Sequence, residues 1–330
     1  MSAMLYLVRR RTTVSCADRP VALAHRQASI KWLAINGGPF SLCQFIHKDI
    51  ACSLGDYNFS FRVYFLDVFL VYLPLGIVAG FVGGLFGVGG GVVVVPCLLL
   101  IFTSQAFPPE VLTHMALATS LAAMIVTSSS SAIVHLRAGA VQMGAFRWLL
   151  LGVLAGTWIG VTTAVRLTGT FLQTAFACFL VYVGVQMIVG FGVKTRKQLT
   201  SPVVLSLGGM VIGGISMLFG IGGGSMTVPF LSWRGFTSQQ AVATSALLGV
   251  PIAILGAILY AISEPLIEYM PSFSLGYVYL PAFLGLVLTS IPSARFGAKL
   301  AHRLSEQKLR KCFGVTIMLL ATTLLYRSLS

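Results

Sequence analysis

Two glycine-rich segments carry the residues whose types and spacing could bind a ligand. Residues 85–96 read LFGVGGGVVVVP and residues 218–229 read LFGIGGGSMTVP, at a constant offset of 133. Glycine lets the backbone approach a ligand closely, and three in succession interrupt a membrane helix. The candidate binding residues in these segments are Gly89, Gly90, Gly91 and Pro96 in the first copy, and Gly222, Gly223, Gly224 and Pro229 in the second.

A second match follows each glycine-rich segment. Ala118-Thr119-Ser120 corresponds to Ala243-Thr244-Ser245 at an offset of 125, and a weaker match pairs Leu151-Gly152 with Leu284-Gly285. Three matches in the same order indicate an internal duplication. Glycine-rich interruptions at corresponding places in two hydrophobic halves are typical of a transporter with broken helices at its binding site.

The chemistry that this pattern predicts is anion binding by backbone dipoles. The runs that follow Gly91 and Gly224 can restart as half-helices, and each N-terminus carries about +0.5 charge and free N–H groups. Two converging ends match one small monoanion. The neighbouring helices could add hydroxyl donors from Thr119, Ser120, Thr244 and Ser245. The alternative interpretation is that the glycines only allow close helix packing.

The composition places the chain in the lipid bilayer. It is 57% hydrophobic and 9% charged, against about 25% charged residues in soluble proteins. The apolar runs are continuous, whereas a membrane β-barrel has alternating segments of about 10 residues. The net charge is +14, and twelve of the 22 Lys and Arg residues lie in short loops between apolar runs, as the positive-inside rule produces. This distribution, together with the lack of any binding motif, excludes nucleic acid as a partner.

The apolar runs predict an all-α protein with about 8–9 transmembrane segments. Each half begins with a broken helix and continues with full spans. The predicted broken helices are 65–103, interrupted at Gly87–Gly91, and 203–232, interrupted at Gly220–Gly224. The predicted full spans are 113–135, 147–166 and 171–193 in the first half, and 239–262, 275–295 and 312–327 in the second.

The loop charges orient these segments. If each broken helix enters and leaves on one side, four loops that hold twelve Lys and Arg residues share a face, which we assign to the cytoplasm. The opposite loops, 104–112, 167–170 and 263–274, hold no Lys or Arg. Three spans between the broken helices make the halves inverted repeats, which can open alternately to each side. A broken helix that crosses only once is the alternative.

The chain divides into three parts in this interpretation. Residues 1–62 are basic and contain no run of membrane length, which indicates a disordered extension or a misassigned translation start. Residues 63–198 form the first transmembrane repeat and residues 199–330 form the second.

The sequence lacks the residues that proton relay, metal binding and catalysis would require. No Asp or Glu lies deep in a predicted span, which argues against a carboxylate proton relay. The six cysteines show no metal-binding spacing, and neither a catalytic motif nor a cofactor fingerprint occurs. We therefore expect no catalytic residue, no metal and no cofactor. The polar run Ser128–Ser131 either lines a cavity or bonds back to helix carbonyls.

The paired glycine motifs and the paired Ala-Thr-Ser make residues 65–328 resemble the sulfite exporter (TauE/SafE) family of membrane permeases. The resemblance implies an all-helical inner-membrane protein that moves sulfite, sulfonates or related organosulfur anions. Carried over by position, it places the substrate site at the residues named above. The second copy departs from the first at Ser216 and Met217, which replace Gly83 and Gly84. The two halves therefore need not contribute equally.

These observations predict a multi-pass protein of the bacterial plasma membrane that exports a small sulfur-containing anion by alternating access. Its partners are then the anion and the lipid bilayer. A channel, or an accessory membrane subunit for another small anion, is one alternative. An intramembrane enzyme is another.

Overall fold

Helices dominate the computed structural model of this chain, which describes residues 57–86, 90–189, 201–263, 270–271, 273–301 and 314–324. The expected N-terminal extension, residues 1–62, lies outside this range except at its end. The described helices are α1 Tyr57–Phe86, α2 Gly91–Ser104, α3 Pro109–Arg137, α4 Met143–Ala164, α5 Gly169–Val189, α6 Pro202–Phe219, α7 Gly224–Trp233, α8 Ser238–Ile262, α9 Leu280–Ala301 and α10 Gly314–Leu324.

Five of these helices are long and apolar enough to cross a membrane, namely α3, α4, α5, α6 and α8. Shorter apolar stretches lie in α1, α2, α9 and α10. The all-α membrane architecture predicted from the apolar runs is therefore confirmed. Both broken helices are interrupted where the glycines predict, since α2 begins at Gly91 and α7 begins at Gly224.

Glycines bring α4 and α6 into backbone contact. A methyl group at Gly152 would overlap the carbonyl oxygen of Ser206, and one at Gly156 would overlap that of Met210. From the other helix, a Cβ at Gly213 would lie 2.5 Å from Val153 O. Small residues at four-residue spacing give helices such close approach, and dispersion contacts then hold them together in lipid.

The same arrangement joins α1 to α9. A methyl group at Gly80 or Gly84 would overlap a carbonyl oxygen of α9. Thr289 on α9 also donates a hydrogen bond to Leu73 O at 2.8 Å. Each half of the chain therefore begins with a glycine-faced helix that packs against a helix from the other half.

These contacts fix how α4 and α9 correspond. Gly209 faces Leu149 O, and Gly76, which lies 133 residues earlier, faces Leu286 O. Leu149 and Leu286 are 137 residues apart. If the two halves are repeats, these contacts favour an offset of 137 for this pair of helices, one helix turn from the offset of 133 that pairs Leu151-Gly152 with Leu284-Gly285.

A short β-hairpin replaces the first turn of the predicted span 275–295. Strands β1 (Ser274–Leu275) and β2 (Val278–Tyr279) pair antiparallel, and α9 begins only at Leu280. Gly276, with φ 53°, makes the tight turn against the end of α8. Tyr277 and Tyr279 are buried, each at most 1% exposed, but in the hairpin and not in a helix. The apolar character of this segment therefore did not distinguish the two structures.

An aromatic cluster connects this hairpin to the first half of the chain. The rings of Tyr72, Phe102 and Phe107 lie within 4.7–6.4 Å of one another or of Tyr279. The Tyr72 hydroxyl donates to Gln105 Oε1 at 2.8 Å. The cluster fixes the end of α2 against α1 and β2, and so limits where α2 can begin.

We expect Gly152→Ala to lower the apparent melting temperature of the detergent-purified protein. Its methyl group must displace the backbone of Ser206, and such overpacking costs about 1–3 kcal/mol. Gly144→Ala is the matched control on the same helix, because no atom lies within 4 Å of its added Cβ. Equal melting temperatures for the two variants would contradict the backbone contact between α4 and α6.

Candidate functional site

Gly90 and Gly223 occupy the same position at the start of the two half-helices. Gly90 caps α2 with φ 79° and ψ −10°, and Gly223 caps α7 with φ 74° and ψ −11°. Residues with a Cβ seldom adopt this left-handed conformation. The carbonyl of each glycine accepts hydrogen bonds from the amides three and four residues later, at 3.0 Å each for Gly90 and at 3.1 and 2.8 Å for Gly223. The two caps therefore share one backbone conformation and one requirement for glycine.

The start of α2 touches the second break directly. A Cβ at Gly91 would lie 3.0 Å from Gly220 O and 3.3 Å from the Cα of Ile221. Ser120 on α3 donates a hydrogen bond to the same Gly220 carbonyl at 3.1 Å. The glycine segments, which are 133 residues apart in sequence, are thus neighbours in the fold.

Met124 fills the space between the breaks. A Cβ at Gly91 would lie 2.7 Å from its Sδ, and a Cβ at Gly222 would overlap its methyl carbon. Met124 is 1% exposed. Sequence reasoning missed this residue because a methionine in an apolar span carries no chemical signal. The position that corresponds at offset 125 is Gly249, whose Cα lies 3.8 Å from the Cβ position of Gly222.

The two threonines of the Ala-Thr-Ser matches bond to backbone amides that lie just before two long helices. The hydroxyl of Thr119 accepts a hydrogen bond from the amide of Tyr279 at 3.0 Å, and the hydroxyl of Thr244 accepts one from the amide of Gln142 at 3.0 Å. Each of these amides belongs to the residue just before the next long helix, α9 or α4. Both threonines are fully buried, and these bonds give each of them a structural role.

The two predicted prolines lie inside the half-helices. Pro96 and Pro229 follow the first residues of α2 and α7 by five positions, or about 8 Å along the axis. A proline has no N–H, so the carbonyl four residues earlier loses its helical partner. That carbonyl belongs to Val92 in α2 and to Ser225 in α7.

Two predicted site residues remain, Ser245, which the structure describes, and Gly89, which it does not. Ser245 is 1% exposed, and its hydroxyl has no hydrogen-bond partner among the described residues. Gly87 and the predicted site residue Gly89 lie outside the described residues.

Of the two interpretations of the polar run of α3, the bond back to a helix carbonyl is observed for Ser129. Ser129 donates to the carbonyl of Ile125 one turn earlier. Ser128 is 3% exposed, and its Oγ lies 3.2 Å from the Cβ position of Gly249, which in turn lies 3.2 Å from Gly222 O. Ser128 is therefore a further polar side chain close to the second break.

Hydroxyl groups and one histidine make up the buried polar side chains of the described residues. A ligand held at the breaks would therefore meet helix N-termini, hydroxyls and apolar side chains. Helix N-termini favour negative charge, and a site with apolar walls strengthens that attraction. The described part of the chain contains no group of three side chains that could hold a metal ion.

Comparison with known proteins identifies the family of this chain. The family model described as "Sulfite exporter TauE/SafE" matches residues 72–324. The chain belongs to this family. The match runs from the aromatic cluster on α1 to the end of α10 and so includes both breaks.

Relatives that the alignments cover almost completely support the assignment. A probable membrane transporter protein of Haemophilus influenzae is 36% identical over 254 residues, which cover 76% of this chain and 96% of the relative. One from Methanocaldococcus jannaschii is 28% identical over 250 residues, 73% of this chain and 91% of the relative. The probable membrane transporter protein YunE of Bacillus subtilis is 25% identical over 285 residues, 79% and 98% of the two chains. No solved structure matches the chain.

The family and these relatives settle the class and the location of the protein. It is a multi-pass membrane protein of a transporter family, and its bacterial relatives point to the plasma membrane.

We expect Gly222→Ala and Met124→Ala to be energetically coupled. The new methyl group meets only the end of Met124 closely, since the next atoms are at 3.6 and 3.8 Å. The double variant should be less destabilised than the sum of the single variants, by about 1 kcal/mol, when melting temperatures of the purified proteins are compared. Gly223→Ala is the control, because its methyl group meets Ile252 and its φ is 74°. A strictly additive Gly222/Met124 pair would show that Met124 does not lie between the breaks.

Proposed function

We propose that this protein is a secondary transporter that moves small sulfur-containing anions, such as sulfite or organosulfonates, across the plasma membrane in the direction of export. The membership in the family described as sulfite exporters supports the substrate class. The relatives named as probable membrane transporters support a transport activity.

The observation that carries the proposal is the direct contact between the two glycine breaks. Gly91 and Gly220 bring one half-helix N-terminus against the other break. Non-helical backbone at membrane depth is tolerated where it is buried in protein or lines a cavity. Its free N–H groups and the positive end of each half-helix suit a small anion. In this proposal the predicted site residues, from Gly89 to Ser245, surround the anion.

We further propose that residues 63–198 and 199–330 are inverted repeats that exchange conformations. The equal cap geometry of Gly90 and Gly223 supports two equivalent units. The corresponding contacts of Gly76 with α9 and of Gly209 with α4 support it as well. Exchange between two equivalent conformations would open the site to each side in turn.

Replacing a cap glycine should abolish saturable transport. Gly90→Leu and Gly223→Leu each place a branched side chain at a left-handed backbone position beside packed atoms, so the half-helix cannot start in its native geometry. The measurement is counterflow of labelled sulfite in proteoliposomes, with taurine, sulfoacetate, sulfate and chloride as competitors. Gly144→Leu, at an open position, is the control for insertion and folding.

The outcomes separate the parts of the proposal. Saturable exchange that sulfonates compete, and that both cap variants abolish, would support the site and the substrate class. Normal exchange in both variants would contradict the site. Lack of exchange in folded wild-type protein would remove the substrate assignment.

The inverted topology predicts opposite labelling of corresponding loops. Ser104 and Gln239 are exposed residues beside the loops that follow α2 and α7. In a cysteine-free background, Ser104→Cys should react with a membrane-impermeant maleimide in intact cells. Gln239→Cys should react only after the cells are permeabilised. Labelling of both from the same side would rule out inverted repeats.

A further inference from the structure

Buried hydroxyl groups without a partner are concentrated in the second half of the chain. Ser216 is 3% exposed and Thr227 is 0% exposed, and neither hydroxyl has a hydrogen-bond partner among the described residues. Most buried hydroxyls in proteins are hydrogen-bonded, and helical ones commonly bond to a carbonyl one turn earlier. Thr103 and Ser129 do so in this chain. Six buried hydroxyls of the described residues have no partner, those of Thr157, Ser216, Ser225, Thr227, Ser245 and Ser274. Ser216 and Thr227 are singled out because both are buried beside one helix N-terminus.

Both hydroxyls flank the N-terminus of α7. Ser216 lies in the last turn of α6, and its Oγ is 3.4 Å from the Cβ position of Gly223, the cap of α7. Thr227 lies in the first turn of this ten-residue helix, and its amide bonds to Gly223 O at 2.8 Å. It shares the buried face of α7 with Gly224. Ser216 thus points at the cap, and Thr227 lies one turn beyond it.

The cap of α2 has the same conformation as the cap of α7 but lacks these hydroxyls. The residues that correspond to Ser216 and Thr227 at offset 133 are Gly83 and Val94. The Cα of Gly83 lies 3.8 Å from the Cβ position of Gly90, in the place where Ser216 Oγ lies 3.4 Å from the Cβ position of Gly223. The two breaks therefore differ in side-chain chemistry although their cap geometry is equal.

We propose that the N-terminus of α7, with the hydroxyls of Ser216 and Thr227, is the subsite that holds the oxyanion group of the substrate. The N-terminus of α2, where Val94 replaces the threonine, does not hold it. This inference rests on the proposed transport of small anions. It assigns the charged group of a sulfonate or of hydrogensulfite to one half of an otherwise duplicated site.

The subsite offers three kinds of attraction to a monoanion. The first amides of α7, those of Gly224 and Ser225, have no acceptor within the helix. The half-helix dipole adds about +0.5 charge at this end, and the two hydroxyls donate directly. Ile212 and Ile252, whose side chains also contact the cap, provide apolar walls that strengthen these interactions. A dianion such as sulfate would lose more hydration energy there than one dipole and two hydroxyls return.

The test uses Thr227→Val and Ser216→Ala in the full-length protein. Valine keeps the shape of threonine and is the residue of the first half at this position. The dissociation constant of methanesulfonate, a permanent monoanion, and its inhibition constant in sulfite counterflow should each rise about 10-fold to 100-fold, the effect expected for a lost hydrogen bond to a charged group. The melting temperature without ligand should stay equal or rise, because an unpaired buried hydroxyl is replaced by an apolar group.

A control variant and several possible results distinguish a ligand-binding role of the two hydroxyls from a structural role. Thr163→Val removes an exposed hydroxyl that bonds back to Ile159 O, and it should leave methanesulfonate binding unchanged. Unchanged binding in both Thr227→Val and Ser216→Ala would overturn the subsite, while loss of transport in the cap variants would still support the proposed function. A fall in ligand-free melting temperature with unchanged binding would assign the hydroxyls a structural role and would also overturn it. Failure of the wild-type protein to bind or exchange either anion would count against the proposed function itself.

Discussion

The contact between the two glycine breaks is the constraint on which the rest of the structure depends. Backbone that leaves the helix within a bilayer needs partners for its N–H and C=O groups. Here Gly220 O accepts a hydrogen bond from the hydroxyl of Ser120, and the start of α2 packs against Gly220. Gly91 at the first break and Gly220 at the second are therefore each packed against residues of the other half. A single half of the chain would leave its break without these partners.

The glycine-faced helices keep the breaks in place. Gly152 and Gly156 on α4 allow contact with the backbone of α6, and Gly80 and Gly84 on α1 allow the same with α9. The helices that precede the breaks, α1 and α6, are thereby fixed by a helix of the opposite half. Thr119 and Thr244 anchor the residues that lead into α9 and α4. Since van der Waals packing replaces the hydrophobic effect in lipid, these close contacts are the main source of helix association.

Equal backbones with unequal side chains are a reasonable design for a duplicated site. The caps at Gly90 and Gly223 have nearly identical dihedral angles, whereas Met124 corresponds to Gly249 at offset 125 and Thr227 corresponds to Val94 at offset 133. Equal backbones would let the halves exchange conformations. Unequal side chains would allow one half to recognise charge while the other half supplies apolar surface.

The sequence by itself determined the membrane class, the helical segments and the positions of both breaks. Apolar run length, glycine conformational freedom and charge asymmetry act locally along the chain, so they can be read from neighbouring residues. It also contained the repeated motifs that led to the family. The sequence predicted residues 275–279 as helix, and this was wrong. Buried residues of a hairpin and of a helix turn can have the same hydropathy.

Only the tertiary structure decided which side chains meet at the breaks. The contacts of Met124 with Gly91 and Gly222, and of Ser128 with Gly249, join residues that are distant in sequence and carry no motif. The roles of Thr119 and Thr244 also depend on distant amides. Whether a buried hydroxyl is satisfied by its own helix or left unpaired, as in Ser216, depends on rotamer and packing. Residue type and spacing do not encode these, since the same residue type forms a back-bond in Ser129.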